Sequence, residues 1–323
     1  MRDLPQVMNR DRTSSEGKPA TSCQICSRLR PLAEHLNEAA EFCLYLGNHA
    51  EYSDGESTRT VRTEVIGDWL RLAARLEKVE INAWATEGDS AALYCGTVAD
   101  RVDSDSKHFS VYSTALTRFI FVANALEETY RFIAHHHDQI PVPAGGRKPK
   151  TPAVKAAALL DAGPVALAEH HGHVVSNHAI LFDRYLDEHR ETDEALLCER
   201  GAPSHGLHML RILRNHVAHG VFPLIPNPEY EGDFDRVTLL HLLNHSCRVG
   251  ALYVQAFLGA FNKGFKSHEY SAIEGAYGCE FERFLANCTP AYALSLHLTG
   301  PFRLATWMED SLKSQYLSRS PRV

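Results

Sequence analysis

The feature that most constrains the fold of this chain is the spacing of its apolar residues. In three long segments, 63–85, 111–137 and 233–262, apolar side chains recur every three or four positions. This spacing places them on one face of an α-helix, which has about 3.6 residues per turn. Almost no stretch alternates apolar and polar residues as a half-buried strand does, and 51–60 is interpreted as a loop. The sequence therefore predicts an all-α protein.

The periodicity also predicts which side of each helix is buried. For 63–85 the expected face consists of Val65, Ile66, Trp69, Leu72, Leu76 and Val79. For 111–137 it consists of Leu116, Phe119, Ile120, Ala123, Leu126, Tyr130 and Ile133. Two further helices are predicted, one that begins at Pro164 and one over 204–222 with Ser204 as its N-cap.

Proline, glycine and polar residues indicate how these helices are grouped. Four prolines and two glycines in 141–152 break the helical pattern. Four long helices between about 110 and 262 favour a bundle. The sequence thus predicts four regions, which are a disordered tail (1–28), an N-terminal helical region (29–108), a helical bundle (109–262) and a C-terminal helical appendage (263–323).

Charge and hydropathy narrow the class of protein. The formal net charge of −7 argues against a basic surface over the whole chain, although it allows a local basic groove. The longest apolar run, 250–261, is shorter than the roughly 20 residues of a membrane helix. The N-terminus also lacks the apolar core of a secretory signal. We therefore expect a cytoplasmic protein without membrane segments, in which most of the eight cysteines are free thiols.

Residues 211–220, RILRNHVAHG, carry most of the chemical information. On a helical wheel Arg214 falls within the apolar arc of this helix, which is formed by Leu207, Leu210, Leu213, Val217 and Val221. A guanidinium keeps its proton, so its burial requires an acidic partner, a phosphate or a water-filled cleft. Asn215 and His219 lie on a polar strip beside this arc, and Gly220 is expected to end the helix and to leave His219 free to turn toward Arg214.

The string RNHVAHG resembles the signature of HEPN domains, which are four-helix bundles found in many prokaryotic defence and toxin systems. That signature is an arginine followed after a short spacer by a histidine, often with asparagine after the arginine and glycine after the histidine. It matches Arg214, Asn215, His219 and Gly220. The resemblance implies an HEPN-like four-helix bundle with additional N- and C-terminal helices.

Two further positions are supporting candidates under this resemblance. Many members of the family carry an acidic residue in the first helix of the bundle, and either Glu127 or Glu128 matches that position loosely. His216 lies inside the motif itself.

The resemblance implies a metal-independent endoribonuclease that acts as a homodimer on RNA, in a defence or toxin–antitoxin system. His219 would move a proton to or from the RNA, Arg214 would hold the scissile phosphate, and Asn215 would orient one of them. The product would carry a 2′,3′-cyclic phosphate. No cofactor and no metal are expected at these residues.

Other interpretations of the same residues remain open. Arg214 can form a structural ion pair with an acidic residue of a neighbouring helix, and His219 can cap the last helical turn, where the helix dipole favours a cation. The chain would then be a non-catalytic helical binding module. A third possibility is that it is the partner of a separate nucleotidyltransferase.

Three weaker patterns are also present. Cys23 and Cys26 form a CxxC pair that His35 and Cys43 would complete as a zinc site, or they are two thiols in a flexible tail. His170 and His173, one turn apart beside Glu169, are a possible metal pair. The basic segment 145–150 is either an RNA contact or a solvated loop.

Overall fold

The protein is described here from a computed structural model. The structure describes residues 23–87, 96–139, 151–188, 199–230, 236–264, 289–300 and 303. These residues are predominantly helical, which confirms the predicted class, with one small β-hairpin as the exception. The helices are α1 (Leu32–Leu46), α2 (Thr63–Arg75), α3 (Gly96–His137), α4 (Pro152–Asp161), α5 (His171–Glu188), α6 (His205–Ala218), α7 (Arg236–Phe261) and α8 (Pro290–Ala293).

Helices α3 and α7 form the centre of the molecule. Helix α3 packs against α2, α4 and α7, while α7 also contacts α1, α5 and α6. Their buried side chains belong to one continuous apolar cluster that includes Leu36, Ile66, Phe119, Tyr185, Leu213 and Phe257. The sequence predicted that the N-terminal helical region ends at 108 and that the bundle begins at 109. Helix α3 runs through this boundary without interruption. The N-terminal region and the bundle therefore share one core.

Helix α3 is longer than its periodicity predicted. It begins at Gly96, not at 111, because the less apolar first half continues the same helix. Phe119, Leu126, Tyr130 and Ile133 are buried as expected, whereas Ile120 is 38% exposed.

One window of α3 satisfies the length and composition of a membrane span. Its mean hydropathy is 1.2 over 18 residues, and 44% of the window is buried inside the protein. The core helix of a soluble protein satisfies the same criterion, and α3 occupies the centre of this fold. The structure is therefore compatible with a soluble protein.

Helix α2 differs from its predicted form in both its length and its buried face. It ends at Arg75, not at 85, and it buries Ile66, Gly67, Leu70 and Ala73. Val65 and Leu72, which were expected inside, are 42% and 52% exposed. The face is rotated because α2 meets α1 through its smallest residue. A Cβ atom on Gly67 would lie 2.9 Å from the carbonyl oxygen of Ala40.

The segment that follows α2 runs extended along α3. Three main-chain N–H groups donate to hydroxyl oxygens of α3, from Val79 to Thr114, Ile81 to Ser110 and Ala83 to Ser106, over 2.9, 2.9 and 3.1 Å. Two residues of extended chain span roughly 6 Å, which is also the rise of four residues in an α-helix. Every second N–H group of this segment therefore lies beside a hydroxyl on the next turn of α3. These hydroxyls replace the hydrogen bonds of a helix, which is why the predicted helix stops early.

The expected loop at 51–60 is instead part of a hairpin. Strand β1 (His49–Ser53) pairs antiparallel with β2 (Thr58–Arg62). At the turn, the Asp54 carboxylate accepts hydrogen bonds from the N–H groups of Glu56 and Ser57, and Gly55 takes a positive φ of 95°. Val61 is the only strand residue that is buried, so the hairpin lacks the apolar alternation by which strands are recognised.

The start of α5 and the N-cap of α6 also differ from expectation. Helix α5 begins at His171, not at Pro164, because His170 adopts a left-handed backbone with φ 59°. Ser204 does precede α6 as predicted, but its hydroxyl donates to the Asp161 carboxylate over 2.8 Å and makes no N-cap hydrogen bond.

The two ends of the described chain are joined. Residues 23–28, which were expected in a disordered tail, contain a turn and a short 3₁₀ helix at Cys26–Arg28. Leu29 pairs with Leu298 from the region of the C-terminal appendage. The remainder of the predicted tail, 1–22, and most of the appendage lie outside the described residues.

We predict that Gly67→Ala lowers the free energy of unfolding by about 1–3 kcal/mol, because the added methyl group would overpack the α1–α2 contact. Urea unfolding followed by circular dichroism measures the change. Gly96→Ala is the matched control, since a Cβ atom at Gly96 meets no atom within 4 Å. Equal stability of the two variants would contradict the close packing of α1 and α2.

A second prediction concerns the buried His178, whose Nε2 lies 2.8 Å from the Ser246 hydroxyl. Burial is the main reason that the pKa of His178 is lowered to about 3, and His245 and His205 contribute to the same shift. An unfolded histidine takes up its proton near pH 6.5. The stability that this neutral imidazole contributes is therefore complete above about pH 6.5 and is lost as the pH falls toward 3.

We accordingly expect wild-type protein to lose unfolding free energy faster than His178→Gln as the pH falls from 7 to 5. The difference in slope should approach about 1.4 kcal/mol per pH unit below pH 6.5, which corresponds to one proton. Urea titrations at several pH values provide the measurement. Identical slopes would show that His178 is not neutral and desolvated in the fold.

Candidate functional site

The motif occupies the end of α6, where the chain reverses direction. The helix ends at Ala218, and the N–H of His219 donates to the Asn215 carbonyl over 2.9 Å. Gly220 has φ 71°, and the next two N–H groups both donate to the His216 carbonyl, over 2.8 and 3.0 Å. A left-handed glycine at this point is a common helix terminator. The prediction that Gly220 ends the helix is confirmed.

The helical wheel placed Arg214 among the leucines of α6. In the structure it lies at the edge of the core instead. Its side chain is 46% exposed. One guanidinium nitrogen donates to Asn215 Oδ1 over 3.3 Å, and another lies 3.6 Å from Glu127 Oε1 on α3. Arg214 is therefore held by an acidic group of the same chain but is not sealed from solvent. A ligand can still reach the guanidinium.

A chain of ion pairs extends from Arg214 across α3 to the hairpin. Glu127 also lies 3.8 Å from Arg131, which is 2.8 Å from Glu128. Glu128 in turn accepts from Arg59 of β2 over 3.0 Å. Of the two acidic candidates, Glu127 contacts Arg214, whereas Glu128 pairs with the two arginines farther along.

A narrow apolar cleft adjoins Arg214 between α3, α4 and α6. It is lined by Phe119, Ala123, Leu126, Glu127, Tyr130, Ala153, Leu210, Arg211 and Arg214. The Nε atom of Arg211 is buried without a hydrogen-bond acceptor among the described residues. Counting the described residues of the cleft and the ion-pair chain together, four arginines face two glutamates. This surface has a local excess of positive charge within a chain of net charge −7.

Tyr130 forms part of the floor of this cleft. Burial raises the pKa of its phenol well above the ordinary value, and the nearby Glu127 and Tyr253 raise it further, although Arg214 opposes them. Tyr130 therefore stays protonated and neutral at physiological pH. Tyr130 therefore gives the cleft a hydroxyl group and an aromatic surface without adding a charge.

The two histidines of the motif have different environments. His219 is exposed, and no hydrogen bond joins its ring to Arg214 in the described structure. His216 is buried, with Nδ1 2.6 Å from the Tyr185 hydroxyl. Burial raises the pKa of Tyr185 to about 12, so its phenol keeps the proton and can donate to His216. His216 thus supports the end of α6 from inside and does not face solvent.

The structure places a different histidine beside the CxxC pair than the sequence suggested. His35 is hydrogen-bonded to Gln255 over 3.0 Å and Cys43 is buried in the core, and among the described residues neither belongs to the group of ligand atoms around the CxxC pair. His173 lies there instead, with Nε2 3.4 Å from the Cys26 sulfur. The zinc alternative that used His35 and Cys43 is therefore not found in the structure. The basic segment 145–150 lies outside the described residues.

Sequence reasoning missed three residues around the motif. Arg131 had a local signal, because it stands four positions after Glu127 on a predicted helix, and such pairs interact. Arg59 and Tyr185 had none, since they reach the site only through the packing of β2 and α5.

Comparisons with known proteins do not extend this description. No family model, no curated protein and no solved structure matches the chain. The resemblance to HEPN domains therefore stays a prediction made from the motif at 214–220.

The exposure of Arg214 predicts a weak ion pair with Glu127. In a double-mutant cycle of Arg214→Ala and Glu127→Gln, we expect a coupling below about 1 kcal/mol, as for other solvent-accessible pairs. The pair of Arg131 and Glu128 is the matched comparison and should couple more strongly, because it is closer and less exposed. A coupling of several kcal/mol for Arg214 and Glu127 would instead indicate a structural ion pair.

Proposed function

We propose that this protein is a metal-independent endoribonuclease of the HEPN type, which acts in the cytoplasm as a homodimer. One observation carries the proposal. The exposed Arg214 is oriented by Glu127 from α3 and by Asn215, on a surface with excess arginines. It stands five positions before the exposed His219 and six before the helix-ending Gly220. Glu127 is one of the two acidic positions that the family resemblance predicted.

The order of the helices supports the same proposal. We assign α3, α5, α6 and α7 to the four helices of an HEPN-like bundle, with α1, α2, α4, α8 and the hairpin as additions. The motif then lies at the end of the third helix and the acidic residue on the first. The HEPN pattern has its motif near the start of a late helix or at the end of the helix before it, and this order is compatible with that pattern.

Arg214 is suited to hold the scissile phosphate. A guanidinium has five N–H donors in a planar fork, and the contacts to Asn215 and Glu127 use only part of this set. The free donors can bind phosphate oxygens and offset the charge that develops as the 2′-hydroxyl attacks. Glu127 holds the guanidinium in place before RNA binds.

The reaction needs two proton transfers. As the bond between the 2′-oxygen and phosphorus forms, the 2′-hydroxyl loses a proton to a base. As the bond to the 5′-oxygen breaks, that oxygen gains a proton from an acid. Imidazole exchanges protons near neutral pH, and His219 is the exposed histidine of the motif. In a homodimer the same histidine of a second copy supplies the other group, and the product is a 2′,3′-cyclic phosphate.

The biological setting follows from the resemblance alone. A nuclease of this type in a defence or toxin–antitoxin system requires restraint, so an antitoxin is the expected partner.

A non-catalytic role is the second candidate, and two observations favour it. Glu127 lies within ion-pair distance of Arg214, and His219 makes no hydrogen bond to that arginine. In this case α6 would belong to a helical binding module or to the partner of a nucleotidyltransferase.

The nuclease is tested by incubating the purified full chain with end-labelled total RNA and tRNA, with and without excess EDTA. We expect cleavage in both conditions and cyclic phosphate ends. Arg214→Ala should lower the rate about 10²–10³-fold through the loss of phosphate stabilisation. His219→Ala should lower it about 10²–10⁴-fold through the loss of proton transfer.

The matched control is Arg200→Ala, which removes an exposed arginine that is ion-paired with Asp183 over 2.9 Å, away from the motif. It should cleave at the wild-type rate. Circular dichroism and sedimentation verify that all proteins are folded and dimeric. Equal cleavage by wild type and both motif variants, or none by any of them, would favour the binding module.

A further inference from the structure

The structure joins two of the weaker sequence patterns in one place. Cys23 and Cys26 precede α1, and His173 lies in the first turn of α5, 147 positions after Cys26. The Nε2 atom of His173 lies 3.5 Å from the sulfur of Cys23 and 3.4 Å from the sulfur of Cys26. The ligand atoms of all three residues lie within 4.8 Å of one another. We propose that these residues bind one zinc ion.

Hydrogen bonding alone accounts poorly for this arrangement. An imidazole nitrogen has either one hydrogen or one lone pair, so it makes one good hydrogen bond. The Asn177 amide nitrogen, at 3.2 Å, can donate that one hydrogen bond to His173 Nε2, yet two sulfur atoms also lie within contact distance of the same nitrogen. A cation that takes the place of this amide at Nε2 explains why both sulfur atoms converge there.

The distances agree with tetrahedral coordination. Zinc binds thiolate sulfur at about 2.3 Å and imidazole nitrogen at about 2.0–2.1 Å. With tetrahedral angles, these bond lengths place the sulfur and nitrogen ligands roughly 3.6 Å apart. The two observed separations are 3.4 and 3.5 Å. The three side chains therefore need little movement to take up the ion.

The local backbone directs both sulfur atoms to one side. The chain turns tightly here, since the N–H groups of Ser27 and Leu29 donate to the carbonyls of Cys23 and Cys26, over 3.0 and 3.2 Å. Both sulfur atoms thus meet the same imidazole nitrogen of His173.

The site is open to solvent on one side. Cys23 and Cys26 are exposed and His173 is partly exposed, so an ion can enter without unfolding the chain. Three protein ligands leave one tetrahedral position, which a water molecule fills. Each thiol releases its proton when the ion binds.

The ligand set favours zinc over other divalent ions. Two thiolates and one imidazole are soft and borderline ligands, and calcium and magnesium prefer oxygen. Zinc accepts this combination in tetrahedral geometry. A disulfide between Cys23 and Cys26 is the competing chemistry, but it would give His173 no role.

The ion would fasten the N-terminal segment to α5. The same contact already contains an ion pair of Arg28 with Glu169 over 3.2 Å, and Arg28 also contacts His170 over 3.1 Å. His173 is twelve positions before Tyr185, or about 18 Å along the helix, so the site is well separated from the end of α6. The proposed zinc would join the N-terminal segment to α5, and the proposal does not depend on the nuclease.

The test measures bound metal in the full chain, purified without chelators from cells grown with added zinc. Elemental analysis should find one zinc per chain. After exchange, Co²⁺ should give the intense visible absorption of a tetrahedral thiolate complex. Cys26→Ser and His173→Gln should each lose the metal and lower the melting temperature, and chelation of wild type should lower it similarly.

The matched control is His170→Asn, which removes a neighbouring imidazole that is not a ligand. Asparagine tolerates the left-handed backbone of this position, so the variant should retain one zinc. The proposal is overturned if wild type binds no zinc or cobalt, if Cys26→Ser and His173→Gln retain the metal, or if mass spectrometry finds a Cys23–Cys26 disulfide in metal-free protein. Metal content and the cobalt spectrum of wild type decide the question even if a variant fails to fold. Neither measurement depends on RNA cleavage.

Discussion

The close approach of α3 and α7 is the contact on which the rest of the structure depends. Gly250 of α7 permits it, because a Cβ atom there would lie 2.6 Å from the Cγ1 atom of Val122. The two helices meet over their buried faces and leave their other sides to the remaining elements, α2 and α4 on α3, and α1, α5 and α6 on α7. The contacts made by small residues, here and at Gly67, determine how each helix is rotated.

This packing decides which charged side chains surround the motif at the end of α6. Glu127 projects from α3 toward Arg214 because α3 and α6 border the same cleft. Through Glu127, Arg131 and Glu128, the arginine is linked to β2 of the hairpin, which the sequence alone did not reveal. A surface rich in arginine thus forms on a protein whose overall charge is negative.

The sequence predicted the ends of a helix best where they depend only on residues within that helix or next to it. The end of α6 at Gly220 and the long helix α7 needed no knowledge of neighbours. Prediction from the sequence failed where another element intervened. The hydroxyls of Ser106, Ser110 and Thr114 hold the chain after α2 in an extended form, and Asp54 shapes a turn whose strands have almost no buried side chains.

The sequence by itself determined the helical class, the order of the long helices and the motif that contains Arg214 and His219, because periodicity, glycine and local hydrogen bonds act over a few residues. Only the tertiary structure decided that Glu127 holds Arg214, that His216 is buried against Tyr185 and that His173 meets Cys23 and Cys26. These contacts join residues that are 31 to 150 positions apart in the sequence. No local pattern encodes such distances, since they depend on how the whole core packs.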